Sequence, residues 1–251
     1  MQKCLIRASI LLLLLPLCSI AGETPDPLAR VLEKNTTARG GAEAISSVRT
    51  IHTTVQITEP TFQVTGEYFA TRNGRMRIDI LADGTRVFTE AYDGEQGWQM
   101  SADGSVSSMS EAGEKAVRHG IVFNLFGLFE MPGIGLKLTY AGSESVDGRE
   151  YDKIDLAFED GLVNHFYLDS ETGQIVRERD EVALHPDVDD TVQRFETVHG
   201  DFRPVGGVMY SWHAEKKDMD TGNVVQTIVV QDIVQNPAID PALFARPGEQ
   251  N

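Results

Sequence analysis

Ser110–Met131, SEAGEKAVRHGIVFNLFGLFEM, is the one long interruption in a chain otherwise written as short alternating runs and turn pairs. Its first half is polar and helix-forming. From Ile121 onward the apolar positions are Ile121, Val122, Phe123, Leu125, Phe126, Leu128 and Phe129, too many for one stripe of a surface helix. The run is bounded by Gly120 and by Pro132-Gly133 and is too short and interrupted to cross a bilayer. Its cover must come from protein or from a bound apolar ligand. We read residues 110–131 as a lid over a curved sheet, set against the plainer reading of a buried core helix.

Outward from this segment the chain keeps a beat of turns. Asn73-Gly74, Asp83-Gly84, Asp93-Gly94 and Asp103-Gly104 precede it at intervals of ten residues, and Asp147-Gly148, Asp160-Gly161, Thr172-Gly173 and Thr221-Gly222 follow it. Asx-Gly pairs favour the positive backbone angles of tight hairpins, so each implies two antiparallel neighbours. Between the turns lie runs such as RMRIDILA, TRVFTEAY, REYDKIDLAF and NVVQTIVVQDIV, preceded by the alternation of Ile51, Thr53, Val55 and Ile57. About a dozen strands exceed what one flat sheet holds without curling. The expected fold is mainly β (α+β): a single strongly curved antiparallel sheet, an incomplete β-barrel, with helices covering its concave face.

Those helices are few. Asp26 can cap a first helix with Pro27 in its opening turn, Leu28, Val31 and Leu32 on one face and Gly40-Gly41 as its stop; a shorter helix over Ala42–Ser47 follows. The N-terminal helix and residues 110–131, the two candidates to cover the concave face, cannot fill so large a half-barrel solidly, so an apolar cavity is expected between sheet and helices. The tail carries Ile239, Leu243 and Phe244 among prolines and reads as an edge-covering arm.

The first residues read as a leader. Lys3 and Arg7 precede an apolar run with Leu11–Leu15 at its centre, and Ser19-Ile20-Ala21 supplies a small-x-small cleavage site. Residues 1–21 are therefore expected to be a cleaved signal peptide and residues 22–251 a single exported domain. Leu17 before Cys18 is a poor match to lipid-modifying processing. Cleavage removes both cysteines, Cys4 and Cys18, leaving no disulfide. It also leaves the chain two units more acidic than its formal charge of -16, which disfavours nucleic acid and anionic lipid surfaces as partners.

YDGEQGWQM at Tyr92–Met100, ARGGAEAIS at Ala38–Ser46, DFRPVGGVMYSWHAE from Asp201 and QTIVVQDIVQNPAIDPALFARP from Gln226 together resemble the LolA-like family of outer-membrane lipoprotein-sorting proteins. The resemblance covers nearly the whole chain beyond the leader and rests on turns and aromatics rather than catalytic signatures. It implies an incomplete barrel closed by helices, a periplasmic location, and an apolar cavity that takes the acyl chains of lipoproteins or another lipid. Membrane-bound donor and acceptor proteins are the partners it implies. Arg72, Arg75, Arg77 and Arg86 are the candidates for a cargo-gating arginine, and the local pattern does not single one out.

No catalytic signature stands beside this reading. The chain lacks a G-x-S-x-G elbow, an H-E-x-x-H pair and a phosphate loop, and Gly133-x-Gly135 lacks the third glycine of a dinucleotide fingerprint. His52, His119, His165, His185, His199 and His213 are scattered singly, so neither metal nor cofactor is expected. Asp187, Asp189 and Asp190 beside His185 offer alternating oxygens but lack the glycine and closing glutamate of a calcium loop; a solvated hairpin is the preferred reading. The expected apolar cavity and lid residues are Phe123, Leu125, Phe126, Phe129, Trp98, Met100, Tyr210 and Trp212, each against the alternative of plain core. The expected function is a monomeric periplasmic carrier, not an enzyme, with an envelope sensor or interaction protein as alternative.

Overall fold

The computed structural model describes residues 26–248; the basic start, the leucine run and the expected cleavage site lie outside them. Asp26 caps α1 (Pro27–Ala38) through a hydrogen bond accepted from the Leu28 N–H. Gly40 and Gly41, both at positive φ, end it and start α2 (Ala42–Ser47). Six strands follow: β1 (Thr50–Glu59), β2 (Phe62–Thr71), β3 (Arg75–Ala82), β4 (Thr85–Tyr92), β5 (Gly97–Ser101) and β6 (Val106–Ser108). Then come α3 (Glu111–Leu125) and a 3₁₀ segment, Leu128–Ile134. The second set of strands is β7 (Lys137–Val146), β8 (Arg149–Ala157), β9 (Val163–Asp169), β10 (Ile175–Val182), β11 (Gln193–Val205), β12 (Val208–Asp218) and β13 (Val224–Gln235).

All thirteen strands form one antiparallel sheet, ordered β6-β5-β4-β3-β2-β1-β13-β12-β11-β10-β9-β8-β7 and not closed into a barrel. Two meanders run outward from the central β1–β13 pair, leaving β6 and β7 as the free edges. The chain between those edges is α3 and the 3₁₀ segment, so the topology obliges this stretch to cross the sheet from one edge to the other.

The sheet curls around that crossing. Ten residues between β10 and β11 form a strap that reaches β5, where Gln99 Nε2 donates to Asp187 Oδ2 at 2.9 Å. Eight strand spacings separate β10 from β5 in the order, roughly 38 Å across a flat sheet. Asp187 lies only five residues beyond β10, a reach of roughly 17 Å. Only a curled sheet brings the two together.

Turn chemistry fits the beat of glycines, with one refinement. At Asp83-Gly84 and Asp147-Gly148 both residues take positive φ, the backbone of a two-residue hairpin. At the other Asx-Gly and Thr-Gly pairs only the glycine does. There a nearby carboxylate often supplies the constraint: Asp93 accepts from the Glu95 and Gln96 N–H groups, and Asp218 from those of Asp220 and Thr221. A further two-glycine turn, Gly206-Gly207, extends β11 to Val205, through a DFRPV stretch whose alternation is weak.

The concave face carries two apolar clusters. One joins α2 and α3 to β1–β4 through Ile45, Ile51, Ala70, Met76, Tyr92, Val117, Ile121 and Leu125. The other joins α1 and the 3₁₀ segment to β7–β9 through Val31, Leu128, Met131, Leu138, Ile154, Leu156 and Phe166. The excess of apolar positions in the crossing is resolved by a break. Val117, Ile121 and Leu125 share one helical face; Phe126 is extended at φ -106°, and beyond it Leu128 and Met131 turn to the second cluster. Phe126 touches both.

The tail, expected to cover an edge, covers mainly the convex face. Its 3₁₀ turn Pro241–Phe244 is capped by Asp240; Phe244 is buried, and Trp98 Nε1 and Arg77 Nη1 donate to the Phe244 and Leu243 carbonyls at 2.9 and 3.0 Å. Arg246 reaches the edge itself at Ser108 on β6.

Candidate functional site: a cavity under the α3 crossing

A cavity of about 480 Å3 lies between the concave face and the crossing. Its floor is Thr53, Val55 and Ile57 of β1, Ile228 and Val230 of β13, and Tyr68 and Ile78 of β2 and β3; its roof is Phe123, Asn124, Phe126, Leu128 and Met131. Register explains the floor. Val55 pairs with Val230 and Gly66, and Ile57 with Ile228, so their side chains project on one face. Gly66 leaves the space into which they lean, since a Cβ there would meet Val55 Cγ2 at 3.0 Å and Ile78 Cδ1 at 3.3 Å.

Of the residues expected to form the site, Phe123, Phe126 and Tyr210 line this cavity. Phe123 is braced edge-on by Phe158 and Phe166, with centroids at 5.6 and 5.8 Å. Leu125 is buried in the first cluster, and Phe129 folds back on Gly127, leaving no room for a Cβ there. Trp212 packs against the first cluster beneath Arg203, whose guanidinium carbon sits 4.9 Å from its ring. Trp98 and Met100 lie on the convex face, away from the cavity they were expected to line. Trp98 pairs with Ala91 and through it with Arg77, and Met100 with Thr89 and Asp79, whereas the concave positions of β3 are Met76 and Ile78. The alternation of β5 is legible in sequence; which of its faces points inward is not.

The structure singles out Arg72 among the four arginines. Its Nε donates to the Val48 carbonyl at 2.6 Å and its Nη2 to those of Ile45 and Leu125 at 2.8 Å, while Nη1 meets Glu130 Oε1 at 2.8 Å. Its guanidinium carbon stands 4.6 Å from the centre of the Phe126 ring. One side chain therefore ties α2, the end of α3 and the 3₁₀ segment together. Burial acts to raise the Glu130 carboxyl. The hydrogen bonds from Arg72, the Gly127 N–H and Ser46, with the Arg72 charge, outweigh it and hold the group below the usual carboxylate range.

The other end of the crossing is held by the strap. Asp187 Oδ1 accepts from the Ser110 N–H at 2.6 Å, at the positive end of α3, and His185 meets Glu59 at 3.0 Å. The acidic loop weighed as a solvated hairpin is thus a clasp. Beside it Gln99 also donates to Glu90 at 3.1 Å; burial raises the Glu90 carboxyl, and the Asp187 charge adds to the rise against the pull of Gln99.

Away from the roof, the concave wall becomes polar. On β10–β12, Glu178 lies 3.6 Å from His199, and Lys216 lies 3.7 Å from Asp180. Among the described residues no group of three or more His, Cys, Asp or Glu side chains converges as a metal site, and no helix is long and apolar enough to cross a membrane.

An open half-barrel with a cavity beneath a doubly anchored crossing is the class of molecule that these features define. Solved structures place it further: the chain has the LolA-like fold. A LolA superfamily protein from Nitrosomonas europaea is similar at 13% identity over 87% of this chain and 97% of that one, with a TM-score of 0.57. A DUF1329 family protein from Desulfovibrio piger is similar at 13% identity over 90% and 100%, TM-score 0.60. A putative outer membrane lipoprotein-sorting protein domain from Vibrio parahaemolyticus is similar at 8% identity over 86% and 94%, TM-score 0.55. No family model matches the sequence, and no curated protein matches it.

Proposed function

We propose that the protein is an exported, periplasmic carrier that takes an acyl chain, of a lipoprotein or of another lipid, into the cavity under α3. The observation that carries this reading is the cavity itself, about 480 Å3 with Phe123, Phe126, Val55, Ile57, Ile228 and Val230 on its walls. At roughly 30 Å3 for a water-sized group, that space is on the order of one acyl chain. Each methylene moved from water to such walls contributes about 0.8 kcal/mol, enough over a chain of moderate length to displace one or two half-buried rings at about 1.5–3 kcal/mol each. The similarity to a putative lipoprotein-sorting domain supports the same reading at the level of fold. The export signal read in residues 1–21 supports a periplasmic location, where membrane-bound donor and acceptor proteins would meet the carrier.

Titration with a fluorescent fatty acid and with a lipopeptide tests the reading. Saturable uptake is expected in the wild type. Phe126→Asp, which places a carboxylate on the cavity wall rather than in solid core, should leave the sheet folded by circular dichroism and weaken uptake by at least about tenfold. A wild type that takes up neither probe would refute the carrier reading.

A further inference from the structure

One charge in the cavity lacks a counter-charge. Arg39 lines it, donating through Nη1 to the Phe126 carbonyl at 3.1 Å. Among the described residues Arg39 forms no ion pair, and its Nε and Nη2 donate no hydrogen bond. Glu130, the acid whose charge acts on it, is already bonded to Arg72, and Glu178 on the same cavity's wall faces His199. Burial accordingly holds the Arg39 guanidinium below its ordinary pKa, against the attraction of Tyr210 and Glu130.

The side chain is set there by its backbone. Arg39 closes α1, its carbonyl accepts from the Met209 N–H at 3.0 Å, and Gly40 follows at φ 108° so close to the β11–β12 turn that a Cβ would fall 1.9 Å from the Gly207 oxygen. Beside it Tyr210 also lines the cavity. Its hydroxyl accepts from Gln235 Nε2 at 2.9 Å, which leaves its own proton to donate.

We infer that the ligand is a single-chain amphiphile whose anionic head, a carboxylate or a phosphate, is held in the cavity by the free Nε and Nη2 edge of Arg39 and the Tyr210 hydroxyl. The inference rests on the acyl-binding reading above and narrows it. A guanidinium edge presents two parallel N–H groups that match either oxyanion bidentately, and such charge-assisted bonds are stronger than neutral ones. The tail then runs over Val55, Val230 and Phe126, away from the charged wall of β10–β12.

Competition against a fluorescent acyl probe by palmitate, hexadecyl phosphate and hexadecanol separates head from tail, and the ratio of the first two tells which oxyanion the site prefers. At a pH where both acids are ionised, at least one should compete about tenfold better than the alcohol. Tyr210→Phe, which keeps the ring, should lower the acid-to-alcohol ratio several-fold, because the bond lost to an oxyanion is stronger than that lost to an alcohol. Arg39→Met should bring the acid-to-alcohol ratio to about one, whatever the absolute affinity of the variant. If that variant does not fold, the wild-type ratio and Tyr210→Phe decide. Equal competition by acid and alcohol in the wild type, or a preference that survives Tyr210→Phe and Arg39→Met undiminished, would overturn the headgroup inference while leaving acyl binding standing. Failure of all three to bind would overturn both.

Discussion

The two ends of the α3 crossing are both anchored through carboxylates, yet by different physics. At its C-terminal end Glu130 is met by a guanidinium that also satisfies three backbone carbonyls, and the two side chains are only 11% and 15% exposed. At its N-terminal end Asp187 arrives from the strap, half-exposed, and accepts from one backbone N–H and one side-chain amide. The difference teaches which end can yield. Separating a buried ion pair strands a charge away from water, whereas releasing a half-exposed carboxylate returns it to water at small cost. Opening of the crossing is therefore expected to begin at the strap, with the Arg72 end as the pivot.

The comparison is broken most forcefully at Arg72. Arg72→Met strips the Glu130 charge of its partner and removes one donor from each of three carbonyls, and should cost about 3–5 kcal/mol in urea unfolding. Adding Glu130→Gln should recover part of that loss, because the stranded charge goes with it. A cost below about 1 kcal/mol would show that the latch does not hold the crossing.

Asp187→Ala is expected to cost less, about 0.5–1 kcal/mol, the value of one carboxylate at a helix N-terminus. Its signature is local. Amide exchange should quicken at Ser110–Gly113 and stay unchanged at Phe126–Met131; equal quickening at both ends would mean that the crossing opens as one body.

The smallest effect concerns pH, where the two ends carry opposite signs. Glu130 is held below the usual carboxylate range, so its stabilisation is present above the unfolded-state value and is lost as pH falls through the lower folded value. Glu90, beside the strap, is raised by burial, so the folded state loses stability as pH climbs from the unfolded value toward the folded one. Glu90→Gln should raise the thermal midpoint at neutral pH, with no gain below about pH 4. The gain should shrink in an Asp187→Ala background, since the Asp187 charge contributes to the rise. A gain that is independent of pH would assign the effect to packing instead.

The sequence by itself determined the local elements. Asp26-Pro27 at one end and Gly40-Gly41 at the other bound α1, Ala42–Ser47 is α2, the polar first half of residues 110–131 is helical, and the spaced glycines place the turns of a single curved antiparallel sheet. These features depend on backbone sterics and on bonds between near neighbours, which residue order contains. Tertiary structure alone decided the site. A period of two marks the faces of β5 and β12 but not which of them turns inward, so Trp98 and Met100 fell outside the cavity while Tyr210 fell within it. Arg72 is one of four arginines that local sequence does not distinguish, and it is Glu130, 58 residues away, that sets it apart; the setting of Arg39 is fixed by the Gly207 carbonyl and the end of α3. Asp187 became a clasp only because the curl carries the strap to β5. Burial and charge pairing arise between residues distant in sequence, and the shape of the curled, open sheet chooses those partners.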